Sequence, residues 1–594
     1  MTPTSFVGQY KIEGRKVFIR IKDQICDTPE ELISSALFSD ILRHAVQKLS
    51  KRNSILMQVF GKDTIEEADL ERFINALKYL SKMEGEVVPK VVDGSDVFFK
   101  NKNLLNDFVE YLYNYWRSFD RFIICDSEGS KLDKRPFRTF NFTIENLTRL
   151  VRQTYRDIQE NIMGTHPSIY RQISAGAEGA VIALPKKLPL LKGPYEKLKS
   201  IPVIRQILIY PPLVLNPPMN KRKGKFERIE ENPINWMDFS PTEWICYPVK
   251  ASSDLILVYI HEKFFELGIS LCNLFDLAND EDLKKKPTAV YFFGMPEKLF
   301  EHLTINPTVF YDDEKNQMLV GAVPDADDFG YFGYLKKMIL TLHNIKKIKE
   351  GKMPFHGALV RIYLKDAAPS TLLLMGESGA GKSETLEALR EIGEGDIQDL
   401  ITIADDMGSL EISKDGKILG YGTEIGAFLR LDDLNPGYAF GQIDRAIIMN
   451  AHQINARIVL PVTTTAHMTH GYPVDFVLYA NNYEDIDDED HPLIESFKTW
   501  QDAIRVFRDG KVMSKGTTTS TGLVNIYFAN IFGPVQYKGL HEKVAEKFFQ
   551  SFFRAKIYVG QMRTRLGLQG WERQGPEEAA KDLIRLIREK KTRP

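Results

Sequence analysis

The sequence predicts an α/β protein of two lobes, with a phosphate-binding P-loop domain on a mixed sheet in the C-terminal lobe. At 594 residues, the chain is long enough for roughly two to four domains. Its apolar fraction of 43% and charged fraction of 27% are those of an ordinary globular protein. Short apolar runs alternate with helical patterns around one glycine-rich loop in the second half. We place an N-terminal α/β lobe at 1–324, subdivided near 170–250, and the P-loop domain at 325–594.

The composition excludes several classes of partner. There are 78 Lys and Arg residues against 80 Asp and Glu residues, a net charge of -2, so we expect no nucleic acid or membrane partner. The four cysteines are far apart, which argues against a disulfide framework and a cysteine zinc site. The N-terminus lacks the apolar core of a signal peptide, and no apolar run approaches the length of a membrane span. We therefore expect a cytoplasmic protein that captures any anionic ligand locally.

The N-terminal lobe carries clear helix signals. Thr28 and Glu31 have the spacing of a capping box, in which a capping threonine is followed three residues later by a glutamate. Pro29 lies between them at the first helical position, where proline is favoured. Helical patterns also span Thr64–Met83 and Leu104–Tyr115, the second with an aromatic face. No basic stripe accompanies these aromatic residues, so core packing explains them better than base stacking.

The region 174–250 is richer in glycine and proline and predicts strands joined by loops. It contains the basic run Asn220–Lys225. This run is either a solvated loop or an anion-binding loop.

The glycine-rich loop Gly376–Ser383 is the strongest motif in the chain. An apolar strand-like run precedes it, and apolar residues at helical spacing follow it. Glycines let backbone N–H groups point inward at a polyphosphate, and the helix N-terminus adds its positive dipole end. Lys382 would reach the outer phosphates, and the Ser383 hydroxyl would contact a divalent metal. The predicted binding residues are Gly376, Glu377, Ser378, Gly379, Ala380, Gly381, Lys382, Ser383 and Glu384.

Further candidates for chemistry flank this loop. Lys336 and Lys337 lie in a predicted helix, and His356 lies where a strand-like run opens. Asp405 and Asp406 end an apolar strand that follows the loop, where acidic residues can hold the metal of a nucleotide.

Arg457 starts another apolar strand. It is either a surface charge or a clamp for carboxylate or phosphate, which the planar guanidinium suits.

Taken in order, these motifs resemble the phosphoenolpyruvate carboxykinase and HPr kinase superfamily. The sequences around His356, the loop GESGAGKSE and Ile403–Asp406 are similar to the HPr kinase branch. Tyr334–Lys337 and Asn455–Pro461 resemble the carboxykinase branch, as do the chain length and the large leading lobe. The resemblance covers roughly residues 325–537 and implies a two-lobed carboxykinase-like fold, with the N-terminal lobe as a candidate substrate lobe.

The resemblance also implies two metal sites. Lys337, His356 and Asp406 would hold a catalytic Mn²⁺, and Asp405 and Ser383 would serve the Mg²⁺ of the phosphoryl donor. A lysine ligates metal only when it is neutral, so Lys337 needs a lowered pKa.

Lys336 and Lys382 would neutralise the transferred phosphoryl group, and Arg457 would clamp the substrate. The implied ligands are ATP, GTP or another phosphate donor and a small carboxylate, oxaloacetate or phosphoenolpyruvate. The loop ends Lys-Ser-Glu where ATP-dependent carboxykinases have Lys-Thr-Thr, so the donor stays open.

Two alternatives also stay open. The first is a kinase of the HPr kinase type, acting on a protein serine or a small-molecule hydroxyl, with an aspartate of the Asp405-Asp406 pair as general base. The second is a nucleotide-sensing module without catalysis.

Overall fold

The computed structural model has a mixed α/β architecture with large mixed sheets. It describes residues 9–21, 26–62, 64–125, 136–166, 173–185, 188, 192–377, 379–392, 396–431, 443–486, 491–515, 521–533 and 536–591. The chain divides into two compact units: unit 1 is Met1–Lys186 with Pro202–Leu213, and unit 2 is Lys187–Ile201 with Val214–Pro594. The predicted boundary at 324 and 325 falls inside unit 2.

Unit 1 contains five sheet strands: β1 (Gln9–Glu13), β2 (Lys16–Ile21), β3 (Asp120–Cys125), β4 (Gly179–Pro185) and β5 (Pro202–Ile209). They pair in chain order, and the two central pairings, β2 with β3 and β3 with β4, are parallel. The outer pairings, β1 with β2 and β4 with β5, are antiparallel. Parallel neighbours need long crossover connections, and the helices of this unit supply them.

The helices of unit 1 bury one apolar face each. They are α1 (Pro29–Ser34), α2 (Ala36–Lys51), α3 (Glu67–Leu80), α4 (Asp96–Phe99), α5 (Lys102–Arg117) and α6 (Pro136–Met163). The predicted capping box at the start of α1 is present, since the Thr28 side chain accepts from Glu31 N–H and the Glu31 carboxylate accepts from Thr28 N–H. Four edge-packed phenylalanines form the centre of the core between these helices: Phe60, Phe73, Phe98 and Phe108.

Unit 2 begins with a six-stranded sheet. A three-residue strand, β6 (Leu213–Leu215), contains the residues at which the chain passes from unit 1 to unit 2. The strands of the sheet that follows it are β7 (Glu227–Ile229), β8 (Trp244–Ala251), β9 (Asp254–His261), β10 (Ala289–Met295), β11 (Val309–Asp313) and β12 (Met318–Pro324), in the spatial order β8-β9-β10-β12-β11-β7. A short helix, α7 (Phe265–Ile269), follows β9.

The second large sheet of unit 2 has nine strands. They are β13 (Met353–Leu364), β14 (Ser370–Met375), β15 (Ile397–Ala404), β16 (Met407–Ile412), β17 (Ile418–Gly422), β21 (Tyr472–Pro473), β22 (Phe476–Asn481), β23 (Ile494–Ser496) and β26 (Tyr558–Arg563). Strands β14, β22 and β26 run parallel to one another. Strand β13 is antiparallel to both β14 and β15, so β15 runs in the same direction as these three. The carboxyl ends of β14, β15, β22 and β26 therefore lie along one edge.

The described residues of unit 2 also form smaller strands and six further helices. Three strands are neighbours in one small sheet, β18 (Gly426–Arg430), β20 (Arg457–Pro461) and β19 (Ile447–Met449), and β24 (Lys511–Lys515) pairs with β25 (Thr521–Asn525). The helices are α8 (Phe332–Lys349), α9 (Lys382–Ile392), α10 (Thr465–Thr469), α11 (Trp500–Asp509), α12 (Lys538–Arg554) and α13 (Gln574–Lys591). Helix α8 contacts both large sheets and is buried along most of its length. Among the described residues, no helix is both long and apolar enough to cross a lipid bilayer.

One buried histidine couples the stability of unit 2 to pH. His541 in α12 has no exposed surface, and its Nδ1 lies 2.8 Å from the Tyr527 hydroxyl. Burial lowers the pKa of His541 to about 4 from an ordinary value of 6.5. Between these two pH values the unfolded chain binds a proton that the folded unit excludes, so this residue makes the folded state less stable as the pH falls from 6.5 towards 4.

We expect His541→Gln to flatten the acid side of the stability profile of unit 2. The lowered pKa of His541 corresponds to a pH-dependent change of about 3 kcal/mol in the free energy of unfolding, since each pKa unit is worth about 1.4 kcal/mol. Urea unfolding of the full chain at pH 7, 6, 5 and 4.5, followed by hydrogen exchange in α12, measures this slope. His302→Gln, at a half-exposed histidine of the same unit, is the matched control. An unchanged slope in His541→Gln would contradict the assignment.

Candidate functional site

A strand, the glycine-rich loop and a helix follow one another in the predicted order. Strand β14 ends at Met375, and α9 begins at Lys382. Gly379 and Gly381 adopt positive φ angles of +80° and +94°, a region that side chains with a Cβ avoid. A Cβ on Gly381 would also lie 2.7 Å from the Thr564 Cβ. The local backbone thus requires glycine. Ser378 lies outside the described residues.

The Lys382 side chain folds back over its own loop. Its amine is buried and donates hydrogen bonds to the carbonyl oxygens of Gly376 at 2.7 Å and Glu377 at 3.1 Å. Ser383 is exposed and Glu384 is half-buried on the first turn of α9. The hydroxyl of Ser383 is therefore accessible to a ligand at the helix N-terminus.

Two residues from distant parts of the chain brace this loop, and the sequence analysis missed both. The Asn482 amide donates to the carbonyl of Gly379 at 2.9 Å. The Thr564 hydroxyl donates to the carbonyl of Ala380 at 2.7 Å. Asn482 directly follows β22 and Thr564 directly follows β26, so each stands at the carboxyl end of a strand parallel to β14. That position was the available signal, because ligand sites of open α/β sheets gather at this edge.

Asp406 connects two of the predicted site residues. Its Oδ2 accepts from Lys336 Nζ at 2.8 Å, and its Oδ1 lies 2.8 Å from His356 Nε2. Its carbonyl accepts from the Gly357 N–H at 2.9 Å, which fixes the turn after β15 against β13. Lys336 and His356 outweigh the effect of burial and hold the pKa of Asp406 well below its ordinary value. The carboxylate is therefore ionised at neutral pH.

The His356 ring faces two acceptors. Its Nδ1 contacts the carbonyl oxygen of Ala529, and its Nε2 contacts the Asp406 carboxylate. A neutral imidazole carries one N–H and donates to only one of these oxygens. The contact between Nε2 and Oδ1 therefore calls for a second proton or for a cation that both atoms ligate.

Lys336 is a buried cation held between two carboxylates. Its side chain is 2% exposed, and Nζ lies 3.2 Å from Glu424 Oε1 in addition to its contact with Asp406. Burial opposes the charge, but the two carboxylates outweigh it and raise the pKa of Lys336. Burial also raises the pKa of Glu424, and Lys336 opposes that shift. The sequence analysis assigned Glu424 no role, because this residue lies between β17 and β18, far along the chain from α8.

Lys337 differs from its neighbour because burial lowers its pKa more than the nearby carboxylates of Glu377 and Asp406 raise it. Burial, followed by the nearby Arg222 guanidinium, lowers the pKa of Lys337 to about 8. Its amine lies 5.0 Å from the centre of the Phe532 ring. A substantial neutral fraction near pH 8 follows, which is the form that a metal ligand requires.

The basic run Asn220–Lys225 packs against the start of α8. The Lys223 N–H donates to the Tyr334 hydroxyl at 2.9 Å, and Arg222 is half-buried with its guanidinium over the Phe226 ring. Burial lowers the pKa of Arg222. The loop therefore brings a desolvated guanidinium towards Lys337, which a fully solvated loop would not do.

Arg457 lies near the cations Arg222 and Lys336. Its guanidinium lies 5.5 Å from the centre of the Phe428 ring, and the residue is half-buried. Burial raises the pKa of the neighbouring Tyr331, while Arg457, Arg222 and Lys336 lower it, which places all three cations within electrostatic reach of one phenol. No direct contact joins Arg457 to Asp406 or to the glycine-rich loop among the described atoms.

Asp405 provides an electrostatic link between the loop and Asp406. Burial and then the neighbouring Asp406 raise the pKa of Asp405, and Lys382 and Lys336 oppose that shift. The residue is half-buried at the carboxyl end of β15. Burial thus makes the Asp405 carboxyl group easier to protonate than an exposed aspartate.

The Mn²⁺ ligands that the resemblance implies combine nitrogen and oxygen atoms. Within the described ranges, no group of three or more His, Cys, Asp and Glu residues could hold a metal ion. The predicted Mn²⁺ set contains two such ligands, His356 and Asp406, and its third member is Lys337. Imidazole nitrogen, carboxylate oxygen and a neutral amine suit a first-row transition metal.

Comparisons with known proteins add no assignment. No protein-family model matches the chain, and no curated protein matches it.

We expect Lys336→Met to destabilise unit 2 by roughly 3–5 kcal/mol, because it leaves buried carboxylates without their cation. The double variant Lys336→Met with Glu424→Leu should recover a large part of this loss, because it removes one of the two orphaned carboxylates. Guanidinium unfolding of the wild type, both single variants and the double variant measures the coupling. Additive losses would contradict the buried ion pair.

Proposed function

We propose that the protein is a metal-dependent phosphotransferase resembling phosphoenolpyruvate carboxykinase, with the corresponding two-lobed architecture. It would interconvert oxaloacetate and phosphoenolpyruvate, using ATP, GTP or another phosphate donor. One observation carries the proposal: the glycine-rich loop, the Asp405-Asp406 pair and His356 meet at one sheet edge, where Lys336 contacts Asp406. Phosphoryl transfer depends mostly on positioning and charge neutralisation, and this edge supplies both.

The resemblance implies two metals, held by different residues. His356, Asp406 and Lys337 would hold Mn²⁺, and the two acceptors around the His356 ring support a cation at its Nε2. Asp405 and the exposed Ser383 would hold the Mg²⁺ of the phosphoryl donor. When bound, such metals stabilise the negative charge that develops on an enolate and on a transferred phosphoryl group.

The cationic side chains would bind the phosphate, neutralise its charge and orient the substrate. Lys382 would exchange the carbonyls of Gly376 and Glu377 for phosphate oxygens. Lys336, fixed by two carboxylates, would contribute a permanent positive charge next to Asp406. Arg457 would orient a substrate carboxylate or phosphate through its planar guanidinium.

A second candidate function keeps the phosphotransferase and changes the acceptor to a hydroxyl group. The position of Asp405 at the carboxyl end of β15 favours it, together with a raised pKa that makes this carboxylate a stronger base than an exposed aspartate. The base would take the proton of a serine or of a small-molecule hydroxyl as the phosphoryl group transfers.

We expect Lys382→Met to weaken ATP binding by about tenfold or more, since a charge-assisted hydrogen bond contributes about 1.5–3 kcal/mol. Isothermal titration with ATP, GTP and pyrophosphate in Mg²⁺ measures the affinity. The matched control is Lys414→Met at an exposed lysine of unit 2, which should bind like the wild type. Equal affinities for Lys382→Met and the wild type would show that the glycine-rich loop does not bind the nucleotide.

We expect the wild type to carboxylate phosphoenolpyruvate with Mn²⁺ and at least one of ADP, GDP or phosphate. Asp406→Asn should reduce kcat at least about a hundredfold while ATP binding persists, because the aspartate orients His356 and Lys336 rather than the nucleotide. Asp415→Asn, at an exposed turn, is the matched control. Bicarbonate-independent labelling of a hydroxyl acceptor would favour the kinase candidate, and no turnover with any donor would exclude the carboxykinase reaction.

A further inference from the structure

A cavity of about 130 Å³ lies inside unit 1, apart from the residues of the phosphate-loop site. Strands β2 and β3 form one wall, and helices α1, α2, α3, α5 and α6 contribute the others. Aliphatic and aromatic side chains make up nearly all of the lining, among them Ile33, Leu77, Val109, Leu112, Ile123 and Ile158. Protein cores are normally packed to the density of organic crystals, so an apolar void of this size requires an explanation.

Among the residues that the structure describes, no charged side chain lines the cavity. An ionised ligand placed here would lose its hydration without gaining a partner, which is strongly unfavourable. The Cys26 thiol is buried on the wall, and burial raises its pKa to about 11, so it stays protonated and unreactive at neutral pH. The chemistry of the wall therefore selects an uncharged ligand that binds without a covalent bond.

One polar group on the wall has no hydrogen-bond partner within the described part of the chain. The Thr154 side chain is 4% exposed, and its hydroxyl makes no hydrogen bond. Three other polar side chains on the wall are hydrogen-bonded: the Ser35 hydroxyl donates to the Leu32 carbonyl at 2.8 Å, the Trp116 indole donates to the Ala175 carbonyl at 2.6 Å, and the Tyr155 hydroxyl donates to the Glu110 carboxylate. Buried hydroxyls are normally hydrogen-bonded, so Thr154 offers a free donor and acceptor in an otherwise apolar space.

Water is a poor occupant for this cavity. A buried water molecule is stable with two to four polar partners, and the unpartnered hydroxyl of Thr154 supplies one. An apolar cavity of about 150 Å³ stays dry and accepts a molecule of the size of benzene. The volume and the lining thus suit a small ring or a short branched chain better than solvent.

We propose that unit 1 binds a compact, uncharged, largely apolar molecule that carries one hydroxyl or carbonyl group. The apolar body fills the cavity against Val109, Leu112 and Ile123, and the single polar group hydrogen-bonds to the Thr154 hydroxyl. Phenol has the size, the neutrality and the one polar group that this arrangement requires. The site is separate from the proposed phosphotransferase site and does not depend on it.

The test uses the full-length protein with three probes: phenol, benzene and benzoate. Isothermal titration should show binding of phenol and benzene, with phenol about three- to tenfold tighter because of one neutral hydrogen bond. Both should raise the Tm in a concentration-dependent way. Benzoate, which is charged at pH 7, should not bind.

Two variants assign the binding to the cavity. Thr154→Val should abolish the preference for phenol while benzene still binds. Thr148→Val on the same helix is the matched control, since its hydroxyl donates to the Ile144 carbonyl outside the cavity wall. Val109→Phe should fill the space and abolish the binding of both probes, with the Tm of the free protein unchanged or raised.

Each of three outcomes would overturn the proposal. The first is no binding of phenol or benzene to the folded wild type, which would make the cavity a packing defect only. The second is unchanged binding in a folded Val109→Phe variant, which would place the probes elsewhere. The third is an unchanged preference for phenol in Thr154→Val, which would remove the hydroxyl from the site.

Discussion

The geometry of unit 2 depends on one carboxylate. Asp406 contacts Lys336 of α8 and His356 of β13 through its two oxygens, and its backbone carbonyl accepts from Gly357. These contacts set the position of a helix relative to the edge at which β14 and β15 end. Buried ionic groups often stabilise a fold no better than apolar residues of the same size. Their presence at this edge is therefore better explained by the chemistry they allow than by stability.

Burial gives two adjacent lysines opposite properties. Lys336 lies between Asp406 and Glu424 and keeps its proton, whereas Lys337 faces Arg222 and loses its proton more readily. Both residues belong to a helix that is buried between two sheets, where charges interact more strongly than in water. The environment, rather than the residue type, thus separates a permanent cation from a candidate ligand.

Local sequence patterns predicted the elements of the site but not all of its members. The capping box at Thr28, the strand and helix around the glycine-rich loop and the strand that starts at Arg457 depend on neighbouring residues, and the structure confirms them. Glu424, Asn482 and Thr564 reach the site through the pairing of strands that are distant in sequence. Single-sequence patterns do not determine which strands pair, so these contributions could not be placed beforehand. The functional roles remain predictions.

The position of the Lys382 amine has a consequence for selectivity. Gly376 and Glu377 act as internal competitors, since their carbonyls occupy the donors that an incoming anion needs. A monovalent anion would give the Lys382 amine about as much interaction energy as the amine loses when it leaves the two carbonyls. A polyphosphate offers several oxygens and more charge at once, so under the proposed function it would outcompete the carbonyls where chloride or acetate would not. The loop would thereby discriminate by valence before any base or acyl group is recognised.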